Sequence, residues 1–279
     1  MPISAKAWRP SSRSVVPNSR WIDTHCHLDA AEFSADRDAV AAAARAAGVA
    51  TIVVPAVEVA NFAAVRDCCR RYPGCQPAYG IHPMYTPQAR DEDLPVLRDW
   101  LANERPVAVG EIGLDFFVPG LDPARQHHFF VEQLKLARDF DLPVLLHVRR
   151  AVDAILKELR RYRPRGGIAH AFNGSRQQAE VFIGLGFKLG FGGAMTWQRA
   201  TRLRELAATL PRESIVLETD APDIPPQFAP PDPASGRARN EPALLPRIAE
   251  TLSVAWSLPL PEIAAITSRN AISILPNIT

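Results

Sequence analysis

The stretch DPARQHHFFVEQLKLARDFDLPVLLHV, Asp122 to Val148, reads as one helix followed by one buried strand. Asp122 is placed to cap the helix and Pro123 to fill its first position, where a missing N–H costs nothing. The helix runs to Phe140, and Val144 to Val148 is the near-continuous apolar run of a strand covered on both faces. The same alternation extends outward from here. Strands are expected at Ile22–Thr24, Thr51–Pro55, Pro77–Ile81, Val107–Ile112, Gly167–His170, Phe187–Phe191 and Ile215–Thr219, with helices between them. Among these are an alanine-rich helix over Ala35–Ala47, stopped at Gly48, and another over Ala60–Arg71. Eight strand-then-helix units over about 250 residues predict a single closed (β/α)8 barrel. The competing doubly wound open sheet would carry a glycine-rich dinucleotide fingerprint after its first strand, and this chain has none there.

With 279 residues, 47% of them hydrophobic, the chain can bury a large core as one domain. No apolar run approaches the roughly 18 residues of a membrane span, and no secretory leader is evident, so a cytoplasmic protein with no membrane partner is expected. Cys26, Cys68, Cys69 and Cys75 lack metal-knuckle spacing and read as reduced thiols, with no catalytic role for Cys68 and Cys69 on the second helix. A net charge of +2 excludes whole-surface attraction to duplex nucleic acid, so a polyanionic substrate needs a local site. Met1 to Arg20 has basic residues, serines and prolines but no acidic residue, and reads as a disordered extension, or alternatively a transit peptide, preceding a domain over 21–279. With no apolar seam in view, a monomer is expected.

The chemistry concentrates at the ends of the strands. In WIDTHCHLD, Trp21 to Asp29, strand alternation would turn Asp23, His25 and His27 to one face. Alone, such a pair is more often two satisfied core histidines than a metal site. Glu111 in VAVGEIGLD, His147 in PVLLHVR, His170 in IAHAFNG and Asp220 in IVLETD occupy equivalent strand ends, where barrel enzymes assemble their active sites. Four of the chain's seven histidines fall at such ends. The set suggests two divalent ions, one held by His25, His27, Glu111 and Asp220, the other by Glu111, His147 and His170, with Glu111 bridging. No lysine stands at the mouth of the fourth or fifth strand to bridge in its place.

DTHCH, GIHP, GEIGLD, LLHVR, HAFNG, ETDAP and RNEP, in this order from Trp21 onward, resemble the TatD family of metal-dependent deoxyribonucleases, within the amidohydrolase-like barrels. The resemblance implies a binuclear centre and hydrolysis of phosphodiester bonds, commonly 3′ to 5′ on single-stranded DNA. Three departures fall in substrate-facing loops: Met84 where a second histidine is common, Asp223 where an aromatic is common, and the proline-rich stretch from Ile224 to Ala238.

In such a mechanism Asp220 orients or deprotonates the attacking water as general base, with Glu111 as the shared carboxylate. His82 is expected to donate a hydrogen bond to phosphate, or else to be structural. Arg149 is expected to pair with phosphate or to lie solvated. Asn173 and Gly174 either present an anion-binding turn or serve turn chemistry alone. Asp23 is expected to support a ligand imidazole, and Asn240 and Glu241 to brace the eighth loop. Mixed imidazole and carboxylate donors suit Zn, Mn, Fe or Ni better than Mg, the ion usually associated with the family. The rival readings are a C–N hydrolase of the amidohydrolase type, a phosphoesterase acting on a small substrate, and a barrel that binds without turnover.

Overall fold

A computed structural model describes residues 20–232, 236–276 and 278. The expected extension, except Arg20, and part of the proline-rich stretch therefore lie outside the described residues. Eight parallel strands run in sequence order around the sheet: β1 (Trp21–Asp23), β2 (Val49–Pro55), β3 (Cys75–Tyr79), β4 (Ala108–Asp115), β5 (Val144–Arg149), β6 (Gly167–Ala169), β7 (Phe187–Phe191) and β8 (Ile215–Leu217). Seven ladders join neighbours, and β8 returns to β1 through Thr24 N–H to Leu217 O (3.1 Å), Asp220 N–H to His25 O (2.8 Å) and a bridge between Cys26 and Ala221. The predicted (β/α)8 barrel is thus present.

The helices are α1 (Arg37–Ala46), α2 (Phe62–Arg71), α3 (Asp93–Glu104), α4 (Pro123–Asp139), α5 (Val152–Tyr162), α6 (Arg176–Gly184), α7 (Thr201–Thr209), α8 (Leu245–Trp256) and α9 (Leu260–Ile274). Asp122 caps α4 by accepting from Ala124 N–H, as its sequence foretold. Two apolar layers follow from strand alternation. Ile22, Val53, Ala78, Ala108, Leu145, Ile168 and Val216, one from each of seven strands, meet inside the barrel, and Ile274 and Leu275 at the end of α9 join them. The larger layer, including Ile52, Val54, Ile112, Leu146 and Leu217, packs outward against the helices.

Two irregularities aim the site. Along β4 the pairing with β5 shifts by one residue between Val109 and Ile112. Ala108 therefore lies with the inner side chains, Ile112 and Leu114 with the outer ones, and Glu111 is turned inward. At β1 the strand ends at Asp23, earlier than expected. Ile22 is in the inner layer but Cys26 in the outer, so the chain changes phase beyond Asp23, and both histidines lie past the strand rather than within it. No helix among the described residues is long and apolar enough to cross a membrane.

Candidate metal centre

His25 is fully buried and its ring stacks on that of His170, with centroids 3.8 Å apart. Its Nε2 lies 3.3 Å from His27 Nε2, 3.1 Å from Glu111 Oε2 and 3.7 Å from Asp220 Oδ1. His27 Nε2 lies 3.6 Å from the same Glu111 oxygen and 3.7 Å from the same Asp220 oxygen. Four donor atoms thus face one another with five measured separations of 3.1 to 3.7 Å. An ion held tetrahedrally at about 2.0–2.2 Å would set its ligands about 3.3–3.6 Å apart, so this quartet fits a divalent metal.

The other oxygen of Glu111 faces a second group. Oε1 is 3.1 Å from His147 Nδ1, while the opposite ring nitrogen, Nε2, is 2.9 Å from Asp115 Oδ2. Held between two carboxylates, His147 has its pKa raised despite burial, and a divalent ion that displaced the Nδ1 proton would sit between Nδ1 and Glu111 while Nε2–H stayed on Asp115. His170 is built alike. Its Nε2 is 3.5 Å from Asp220 Oδ2, and its Nδ1 lies 3.0 Å from Glu218 Oε1, off the hydrogen-bonding line. His25, Glu111 and His170 offer ligand atoms within 4.8 Å of one another.

Burial works against ionising Glu111, but His82, His25 and the hydrogen bond from His147 outweigh it and hold the carboxyl well below its ordinary range. Asp220 is likewise lowered: its burial is overcome chiefly by His170. The carboxylates are therefore charged and able to bind cations. Asp220 itself has a positive φ of 59° and receives its place from the bond to His25 O.

Of the six expected ligands, all converge at this rim, but His147 and His170 reach Glu111 in different groups. His82 joins them, with Nε2 3.4 Å from Glu111 Oε1. Its Nδ1 accepts from Met84 N–H at 3.2 Å, and burial lowers its pKa, so the neutral ring carries its proton on Nε2 and is a donor. Arg149 is half-exposed, its guanidinium 3.9 Å above the Phe117 ring and 4.0 Å from Asp115. Asn173 is exposed and accepts from Arg202 through both its carbonyl oxygens. Gly174 is buried under Phe172, where a Cβ would lie 2.6 Å from the ring.

The expectation for Asp23 is corrected. It reaches no ligand ring: Oδ1 accepts from Thr219 N–H and Oδ2 from the Thr219 hydroxyl, tying β1 to the segment after β8, because the phase change beyond Asp23 separates it from the histidine face. The supporting carboxylates are Asp115 and Glu218, which the sequence reading passed over. Both had a signal: Glu218 precedes Asp220 by two residues, and Asp115 follows Glu111 within one motif. Gly190 makes room for Glu218, since a Cβ there would lie 2.1 Å from Oε2. Asn240 braces the eighth loop as expected, donating to Thr219 O and Asp223 O at 2.6 and 2.9 Å.

Comparison with known proteins finds relatives along most of the chain. The family model for TatD-related DNases matches residues 22–276. The uncharacterized metal-dependent hydrolase YjjV of Escherichia coli K12 is 48% identical over 212 residues, covering 74% of this chain and 81% of that protein. A 3′-5′ ssDNA/RNA exonuclease TatD from Cronobacter turicensis is 37% identical over 253 residues, 90% of this chain and 95% of its own. The crystal structure of the E. coli K12 YjjV, a TatD homolog, superposes with a TM-score of 0.86 at 41% identity, over 92% of this chain and 98% of that one.

Proposed function

Because the chain belongs to the family of TatD-related DNases and is a metal-dependent hydrolase of the TatD type, we propose that it cleaves phosphodiester bonds at the 3′ ends of single-stranded DNA. His25, His27, Glu111 and Asp220 would hold one divalent ion, and Glu111, His147 and His170 a second. Bound there, such ions would supply a water of lowered pKa and neutralise charge on the phosphoryl oxygens.

The chain's own groups do the rest. Glu111 spends one oxygen on each group, which fixes their spacing. Asp115 and Glu218 set the orientation of His147 and His170. Asp220, with 12% of its side chain exposed, reaches the cleft and takes the proton of the attacking water. His82 donates Nε2–H within the centre, where Glu111 and a phosphate oxygen are its acceptors. Arg149, fixed over Phe117, pairs with the phosphate from the β5 end. Asn173 lines the approach, whereas Gly174, buried under Phe172, serves the turn.

The observation that carries this reading is the quartet of donors at 3.1 to 3.7 Å around one oxygen of Glu111. The test is digestion of 5′- and 3′-labelled single-stranded DNA in Mg, Mn, Zn, Fe and Ni, beside a generic phosphodiester and an amide. Stepwise loss from the 3′ end is expected. Release of amine from the amide with intact DNA would assign the barrel to C–N hydrolysis instead.

A further inference from the structure

Beside the metal centre opens a cavity of about 480 Å³, within the size of ordinary small-ligand sites. Its walls come from Asn173 after β6, Trp197 and Arg199 between β7 and α7, Arg202 in the first turn of α7, and Ile224 and Pro225 after β8. Asn173 is three residues from His170, a span of at most about 11 Å of chain. The cavity therefore neighbours the centre that the proposed function assigns to the scissile phosphate.

Trp197 is 37% exposed and held in a fixed orientation. Its indole N–H donates to Pro225 O at 3.1 Å, and Arg204 locks the surrounding backbone through Met195 O, Trp197 O and Gln198 O. The guanidinium of Arg199 lies 5.5 Å from the indole centroid. Arg202 is anchored on the two neutral oxygens of Asn173. Among the described residues neither arginine has an ion-pair partner, whereas Arg71, Arg98 and Arg239 each have a carboxylate. A rigid aromatic face flanked by two cations lacking counter-charges matches a ligand made of a flat ring joined to an anion.

We propose that this cavity is a nucleotide subsite, in which Trp197 stacks one unpaired base of the substrate while Arg199 and Arg202 take the adjoining phosphate. The proposal rests on the nuclease reading and adds the means by which a single strand is chosen. A base inside a duplex is already stacked on both faces, and only an unpaired one can offer a face to the indole. Every base has a face to stack, so the preference is for single-strandedness and not for sequence.

Binding of a fluorescein-labelled phosphorothioate oligothymidylate to the metal-loaded protein, read by anisotropy across a salt series, tests this. Trp197→Ala should weaken binding about tenfold while Trp197→Phe retains most of it, as stacking requires. The Arg199→Ala/Arg202→Ala double variant should weaken binding and lower the salt dependence by about 0.7 to 1.4 in log–log slope, which Trp197→Ala should leave intact. Val254→Ala, on the far more exposed face of α8, serves as control. If wild type digests the unmodified oligonucleotide while both sets of variants bind as wild type does, the subsite is wrong and the nuclease reading stands. If wild type digests no oligonucleotide with any metal, both fall together.

Discussion

Glu111 can serve two groups at once because its oxygens diverge, Oε2 toward His25 and His27 and Oε1 toward His147 and His82. Asp220 divides itself similarly between His25 and His170, but it alone of the pair keeps noticeable solvent access. That difference separates a holding role from a proton-taking one. Asp220→Asn should therefore preserve the fold and much of the metal content while lowering turnover by about 10²- to 10⁴-fold; near-wild-type rates would remove it from the base role. At this scale the sequence was most legible for residues that end strands. It was least legible for their partners: Asp115 and Glu218 act through the far nitrogens of His147 and His170, and the side of an imidazole that a carboxylate will meet is decided by packing. His82 illustrates the same limit. The sequence left a donor and a structural role open for it, and the Met84 N–H donated to Nδ1, which puts the ring proton on Nε2, is announced by no motif.

The order of elements was readable because buried parallel strands and amphipathic helices have different periods. Their phases were not. A one-residue shift in β4 reverses which side chains point inward, and without it Glu111 would face the helices with Ile112 facing the barrel interior. Strict alternation likewise misassigned Asp23, since the chain changes phase where β1 ends. Gly190 shows how one element accommodates another: β7 omits a side chain so that the acid two residues before Asp220 can stand beside His170. Gly190→Ala should destabilise the protein by about 1–3 kcal/mol through overpacking and reduce metal retention, as read by melting and metal analysis. Unchanged melting together with full metal content would mean that Glu218 has no positional role.

The barrel keeps its reactive groups at one rim, and three of its four cysteines, Cys68, Cys69 and Cys75, lie away from it on α2 and at the start of β3. Burial pushes the Cys68 and Cys75 thiols up to about 12. The thiol form is thus favoured by folding. Its contribution is complete below the unfolded pKa and is lost as pH rises from there through the folded value. Melting temperature should accordingly fall above about pH 9, and at pH 8 both thiols should resist iodoacetamide, since a thiolate fraction near 10⁻⁴ is too small to react. Rapid native-state labelling of either would contradict that burial.

The arrangement of five distant side chains about the shared Glu111 carboxylate is best tested by anomalous diffraction from crystals equilibrated with manganese. Two peaks are predicted, one enclosed by His25, His27, Asp220 and Glu111 Oε2, and one against Glu111 Oε1, His147 Nδ1 and His170. A map with no peak touching Glu111, or with manganese bound only outside the barrel rim, would contradict the bridged centre.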